Sequence, residues 1–147
     1  AYNVIPAGAV MRGTARAFSR ETLSLIATRM RKIAEGVAAG LGASANLDFR
    51  VIFPPLVNHA DATQFVADCA AELVGGENVD CAGGLTMASE DFAYMLEHRP
   101  GAYIQIGNGD GEGGCEVHNP GYDFNDAALT LGASLFARLV EKKLARI

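Results

Sequence analysis

The densest group of reactive side chains is Cys115-Glu116-Val117-His118-Asn119-Pro120, which sets a thiol, a carboxylate and an imidazole within four positions. A neutral imidazole in a loop is a common zinc ligand, and a neighbouring thiolate or carboxylate can complete part of a site. A closed site needs four ligands, however, and His59 and His98 stand at spacings that do not point toward His118. On the residues alone, a solvated loop histidine is the more ordinary reading. Just upstream, Gly107-Asn108-Gly109-Asp110-Gly111-Glu112-Gly113-Gly114 has the glycine content of a phosphate cradle. Asp110 and Glu112 would repel phosphate, no Lys-Ser or Lys-Thr follows, and no helix is predicted there, so a flexible loop is expected.

Other candidates are weaker. Ser89-Glu90-Asp91-Phe92 reads first as a helix start, although carboxylates at a helix N-terminus can also orient a substrate amine. Arg12 and Arg16, four apart on one face of a predicted strand, could grip a carboxylate, but such pairs are more often a solvated face or a subunit contact. Cys69 falls on the apolar side of a predicted helix, Cys115 lacks an evident base, and no Gly-x-Ser-x-Gly segment occurs. No residue is therefore assigned as catalytic.

These side chains need a scaffold, and the apolar spacing predicts one. Residues 8–18 alternate with period two and predict a strand. Ser19 is a predicted N-cap for a helix carrying Leu23, Ile26, Met30, Ile33, Val37 and Leu41, ended by Gly40 and Gly42. Residues 44–53 alternate again, and Pro54-Pro55 stops the pairing. Downstream, the pattern predicts a helix from Asp61 to Gly75, a short strand over 78–81, a helix over 90–98 capped by Ser89, and a buried strand over 102–106. A loop from Gly107 to Tyr122 follows, long enough to be functional or mobile. A last helix over about 126–145 would bury Leu129, Ala133, Phe136, Val140 and Leu144. The expected fold class is α/β: a β-α-β lobe over 1–54, incomplete without further strands or another subunit, then an α/β part over 55–147.

With 147 residues, half of them apolar and a fifth charged, the chain is in the range of one globular domain or two small lobes. The net charge of -5 argues against nucleic acid, and no apolar stretch is long enough to span a membrane. Charge is unevenly divided: residues 1–54 carry seven basic and three acidic side chains, whereas 55–147 carry five and fourteen. Two lobes with different surroundings are expected. Three cysteines at unrelated spacings do not form a disulfide framework, so a cytoplasmic location is expected. Because the chain opens on Ala1-Tyr2-Asn3 with no initiator Met, a fragment is expected.

Taken in order, Asn3-Val4-Ile5-Pro6, Met11-Arg12-Gly13-Thr14-Ala15-Arg16, Phe53-Pro54-Pro55-Leu56-Val57-Asn58, Ser89-Glu90-Asp91-Phe92, and His118-Asn119-Pro120 with Asp123-Phe124-Asn125-Asp126 resemble one family. It is the metal-dependent amidohydrolase superfamily of aminoacylases and carboxypeptidases, in its hippurate hydrolase and N-acyl-amino-acid amidohydrolase branch. The resemblance covers the whole chain but only the C-terminal part of the longer family members. It implies that residues 1–54 are the C-terminal half of a ferredoxin-like lid that dimerises, and that 55–147 are the C-terminal part of an α/β metallohydrolase catalytic domain.

The resemblance further implies hydrolysis of the amide bond of an N-acyl amino acid by a centre of two divalent ions, drawn from zinc, manganese, nickel or cobalt. His118 matches a metal ligand, Asn3 a lid residue that reaches substrate, and Met87, Ser89 and Glu90 the segment lining the acyl pocket. The other ligands and the general base match nothing in this chain. The missing N-terminal half is thus an expected partner, and the chain alone is expected to be metal-free and inactive. Three departures stand out: Ala7 in place of an acidic residue, Ala88-Ser89 in place of Gly-Gly, and Asn119 in place of Ser. The alternative is a non-catalytic ferredoxin-like binding or dimerisation module.

Overall fold

A computed structural model describes residues 3–111 and 114–144. Among the described residues four α-helices follow one another, α1 (Arg20–Gly40), α2 (Ala60–Val74), α3 (Phe92–His98) and α4 (Ala127–Lys143), with a single 3₁₀ turn at Gly76–Asn78. The chain divides into two units, one running through Leu56 and including Thr86–Ala93, the other made of Val57–Leu85 and the residues from Tyr94 onward. No described helix is long and apolar enough to cross a membrane.

In the first unit, α1 starts where its cap predicts. The Ser19 hydroxyl accepts a hydrogen bond from the Thr22 backbone N–H at 3.1 Å, satisfying one of the helix's orphan donors. Glu21 lies in the first turn, where hydrogen bonds from its own backbone and from Ser19 hold its carboxyl below the usual range. The helix ends at Gly40, and Leu41 and Gly42 donate back to the carbonyls of Ala38 and Ala39. Only Leu23 of the expected apolar stripe is buried, and Ile33, Val37 and Leu41 are exposed.

The β-α-β expectation is not met: no strand occurs among the described residues, so neither the ferredoxin-like half-lid nor an α/β sheet is present. The reason lies in what alternation encodes. It marks which side chains would share a face of an extended chain, but a strand exists only where N–H and C=O groups meet a neighbouring ladder. Around residues 8–16 neither face is covered; Val10 is 83% exposed on one side and Met11 96% on the other. Residues 44–53 keep the alternation without the ladder. Leu47 and Phe49 are half-buried, while Asp48 and Arg50, two apart on the same side, form a two-pronged ion pair at 2.5 and 3.0 Å. That bond holds the Asp48 carboxyl below its usual range. The ferredoxin-like module loses its structural basis with the sheet.

The second unit is built on α2 packed against α4. Cys69 on α2 is fully buried and Leu135 on α4 nearly so, and an added Cβ at Gly132 of α4 would stand 3.2 Å from the Ile106 side chain. The rim of the helix pair is ionic: Glu72 accepts from Arg138 at 2.9 and 3.1 Å and from Lys142. Lys143 lies over the Phe65 ring, 5.4 Å from its centroid.

Three elements differ from expectation here. The covered face of α4 carries Ala128, Leu131, Gly132, Leu135 and Leu139, about 100° round the helix from the predicted Leu129, Phe136 and Val140, which are exposed. Both faces are apolar, and the packed one also bears Arg138, whose charge is met by Glu72. The predicted strands over 78–81 and 102–106 are a 3₁₀ turn with its exit and an irregular half-buried run.

Candidate functional site

His118 sits in the second unit, in the loop between the 102–106 run and α4. The base of that loop is closed by two asparagines. Asn125 donates its backbone N–H to Asn108 Oδ1 at 2.8 Å and its Nδ2 to the Asn108 carbonyl at 3.1 Å. Asn108 in turn donates Nδ2 to the Asp123 carbonyl at 2.7 Å. Asn125 Oδ1 also accepts from the Ala127 N–H at 3.0 Å, so one side chain closes the loop and caps α4. Asp126, the expected start of that helix, makes no side-chain cap bond.

Inside the loop, the described residues of the glycine-rich run turn tightly at Gly109 and Gly114. Gly109 has φ +79°, and the Gly114 N–H donates to the Gly111 carbonyl at 2.9 Å. A Cβ on Gly114 would lie 2.4 Å from the Gly109 carbonyl oxygen, so only glycine fits there. Carbonyl oxygens, rather than amide donors, face the tight spot, which is the wrong polarity for a phosphate cradle. Glu112 and Gly113 of the same run lie outside the described residues.

His118 occupies the third position of a turn closed by the Asn119 N–H on the Glu116 carbonyl at 3.1 Å. Its φ is +71°, the sole positive φ of a non-glycine among the described residues. That is the left-handed conformation a type II turn requires at this position, which histidine tolerates better than most side chains. Asn119 continues the chain reversal: its side chain accepts from the Gly121 N–H at 2.9 Å and its carbonyl from Tyr122 at 3.0 Å. The imidazole is exposed on the outside of a doubly turned loop.

The other predicted site residues lie in the first unit. Asn3, Met87 and Ser89 are exposed and Glu90 is half-buried. Ser89 and Glu90 precede α3 rather than cap it: the helix starts at Phe92, and Glu90 contributes its carbonyl to the Ala93 N–H at 3.3 Å. Among the described residues no group of three His, Cys, Asp or Glu side chains is placed to hold a metal ion, Cys115, Glu116 and His118 included. The residues present therefore do not build a metal centre, and His118 offers a single ligand.

His59 is occupied by structure. Its backbone N–H donates to the Gly101 carbonyl at 3.0 Å, its carbonyl receives the Thr63 N–H and hydroxyl, and its Nδ1 faces the Gly101 N–H at 3.4 Å. What sequence reasoning missed was the asparagine framework. Its visible signal was an Asn immediately before a predicted helix start, at Asn125, and a second Asn two residues after the 102–106 run, at Asn108.

The profile of Peptidase family M20/M25/M40 matches residues 6–142. A hippurate hydrolase of Campylobacter jejuni is 33% identical over 144 residues, 98% of this chain and 37% of that protein. An N-acetylcysteine deacetylase of Bacillus subtilis is 34% identical over 138 residues, 94% of this chain and 35% of its own length. IAA-amino acid hydrolase ILR1-like 4 of Arabidopsis thaliana is 31% identical over 150 residues, covering 98% and 34%. The chain thus spans about a third of the length of the curated relatives it matches. No solved structure matches.

Proposed function

The chain belongs to peptidase family M20/M25/M40, and on that premise we propose that it is part of an amidohydrolase that cleaves an N-acyl amino acid into a carboxylic acid and a free amino acid. The observation that carries this is the 98% coverage of the chain by a hippurate hydrolase, through the His118-Asn119-Pro120 segment. Other relatives are a deacetylase of an N-acetyl amino acid and a hydrolase of an amino-acid conjugate, and all three names share an amide between an acyl group and an amino acid.

In this reading Met87, Ser89 and Glu90 would line the acyl pocket, and Asn3 would reach the substrate from the lid. Residues 1–54 would serve as the C-terminal half of a lid and homodimer contact, and 55–147 as the C-terminal part of the catalytic domain. Family members are as a rule metal-dependent, and the whole protein would use two divalent ions, zinc, manganese, nickel or cobalt. His118 would contribute one ligand; the remaining ligands and the base would come from the other two thirds of the relatives' length, so this chain alone would be inactive. Three cysteines at unrelated spacings support a cytoplasmic location as part of the same proposal.

The test is hydrolysis of hippurate and of N-acetyl amino acids by the longer protein that contains this chain, with and without a chelator. Release of the acid and amino acid, lost with chelator and restored by a divalent ion, is the expected result. A metal-replete longer protein that cleaves no N-acyl amino acid would overturn the proposal.

A further inference from the structure

We infer that Asn108 and Asn125 are positioning residues for His118, on the reading of that imidazole proposed above: they close its loop and tie its register to the first turn of α4. His118 lies ten residues after Asn108 and seven before Asn125, so neither asparagine is a turn neighbour of the imidazole. Among the described residues, the turns Gly111 to Gly114, Glu116 to Asn119 and Asn119 to Tyr122 are short-range and do not span the loop. Bonds from 108 to 123 and 125 do span it.

Both side chains use a donor and an acceptor at once. Asn108 Oδ1 takes the Asn125 N–H while its Nδ2 reaches the Asp123 carbonyl; Asn125 Nδ2 reaches the Asn108 carbonyl while its Oδ1 takes the Ala127 N–H. A carboxamide does this from two separate atoms, whereas a carboxylate accepts without donating. Gly109, at φ +79°, turns the chain directly beside Asn125, where a Cβ would stand 3.6 Å from Nδ2. A free loop of this length loses several RT of entropy when its ends are fixed, and here that cost is met at the base, before His118 is placed.

The two functions of Asn125 can be separated. Asn125→Asp keeps the acceptor that caps α4 and loses the donor that closes the loop; Asn108→Ala removes both side-chain bonds of Asn108 and leaves the cap alone. In the longer protein, amide hydrogen exchange over residues 114–124 should quicken by roughly five- to tenfold in Asn125→Asp, the size of one lost hydrogen bond, and by at least as much in Asn108→Ala, which loses two. Exchange in α2 and α4 should stay at the parent rate. The imidazole carbon relaxation of His118 should report faster motion, with His59 and His98 as unchanged internal references. Loop exchange and His118 relaxation that match the parent in both variants would overturn the positioning role. So would loosening shared equally by α2 and His59, which is general destabilisation. Activity stands apart: were replacement of His118 in the longer protein to leave hydrolysis intact, the amidohydrolase reading would fail while the loop result stood.

Discussion

Asn58 and Tyr103 are joined by two hydrogen bonds in which the side-chain amide of one reads the backbone of the other: Asn58 Nδ2 donates to the Tyr103 carbonyl at 2.9 Å and the Tyr103 N–H donates to Asn58 Oδ1 at 2.8 Å. The carboxamide takes the place of a neighbouring peptide group. It satisfies the backbone of the 102–106 run at the point where a sheet partner would otherwise be needed. With the His59 N–H bonded to the Gly101 carbonyl, the pair fixes the N-terminal end of α2 to that run.

Asn58→Ala should therefore cost about 1–3 kcal/mol, because it removes two part-buried hydrogen bonds to the Tyr103 backbone at once. Asn58→Asp, which keeps the acceptor but turns an oxygen toward the Tyr103 carbonyl, should fall at the upper end of the same range. Urea unfolding of the chain followed by circular dichroism reads both; midpoints equal to the parent's would show that the pair contributes nothing.

A pH dependence follows from Glu72. Hydrogen bonds from Lys142 and then Arg138 hold its carboxyl below the ordinary 4.5, and the folded value thus lies below the unfolded one. Such a group adds stability that is fully present above about pH 4.5 and is lost as pH falls through its lower folded value. With about two-fifths of the Glu72 side chain exposed, the effect is screened by salt. The parent should lose stability relative to Glu72→Gln as pH drops below about 4.5, and half-molar salt should narrow the gap. Parallel stability curves for the two proteins at low salt would remove the ion cluster from the account.

How much of this was legible in the sequence differs by element. The start of α1 could be read because a helix N-cap is a local transaction between Ser19 and the Thr22 amide, three residues apart. The end of α2 at Gly75, φ +85°, was legible for the same reason, whereas the start of α4 was not, because Asp126 makes no side-chain cap bond and Asn125 supplies one instead. Strands were not, since the alternation around Val10 and Leu47 describes a chain awaiting a neighbour, and the neighbour is not encoded locally. For α4 the apolar residues were countable, but two apolar faces competed, and the choice between them rests on packing against α2, where Glu72 meets Arg138. His118 was legible as a chemical type and through the family pattern. The support of its loop was not, because the carboxamides of Asn108 and Asn125 act across about fifteen residues.

Within that loop, Gly114→Ala and Gly111→Ala should behave oppositely. A methyl on Gly114 would meet the Gly109 carbonyl oxygen at 2.4 Å and the Gly111 carbonyl oxygen at 2.9 Å, both backbone atoms with little room to give. At Gly111 nothing lies within 4 Å. Gly114→Ala should raise the rate of limited proteolysis in the loop several-fold and cost about 1–3 kcal/mol, while Gly111→Ala stays within about 0.5 kcal/mol of the parent. Equal cleavage rates in the two variants would show that the close approach at Gly114 does not constrain the loop.

Replacement of His118 has to respect its backbone. At φ +71° an alanine carries the left-handed penalty of about 1 kcal/mol or more, so a loss of activity in His118→Ala mixes a missing imidazole with a disturbed turn. Asparagine tolerates that conformation and cannot replace a strongly ligating imidazole, and glycine removes the side chain without strain. In the longer protein, His118→Asn and His118→Gly should both lower bound metal and hydrolysis by at least about a hundredfold in rate, the scale on which removing one key group acts. Each should leave the amide spectrum of α2 and α4 in place. Metal content measured by elemental analysis alongside rate decides the matter: variants that keep both would end the assignment of His118 as a ligand, whereas loss of rate with metal retained would move the imidazole from holding the ion to contacting substrate.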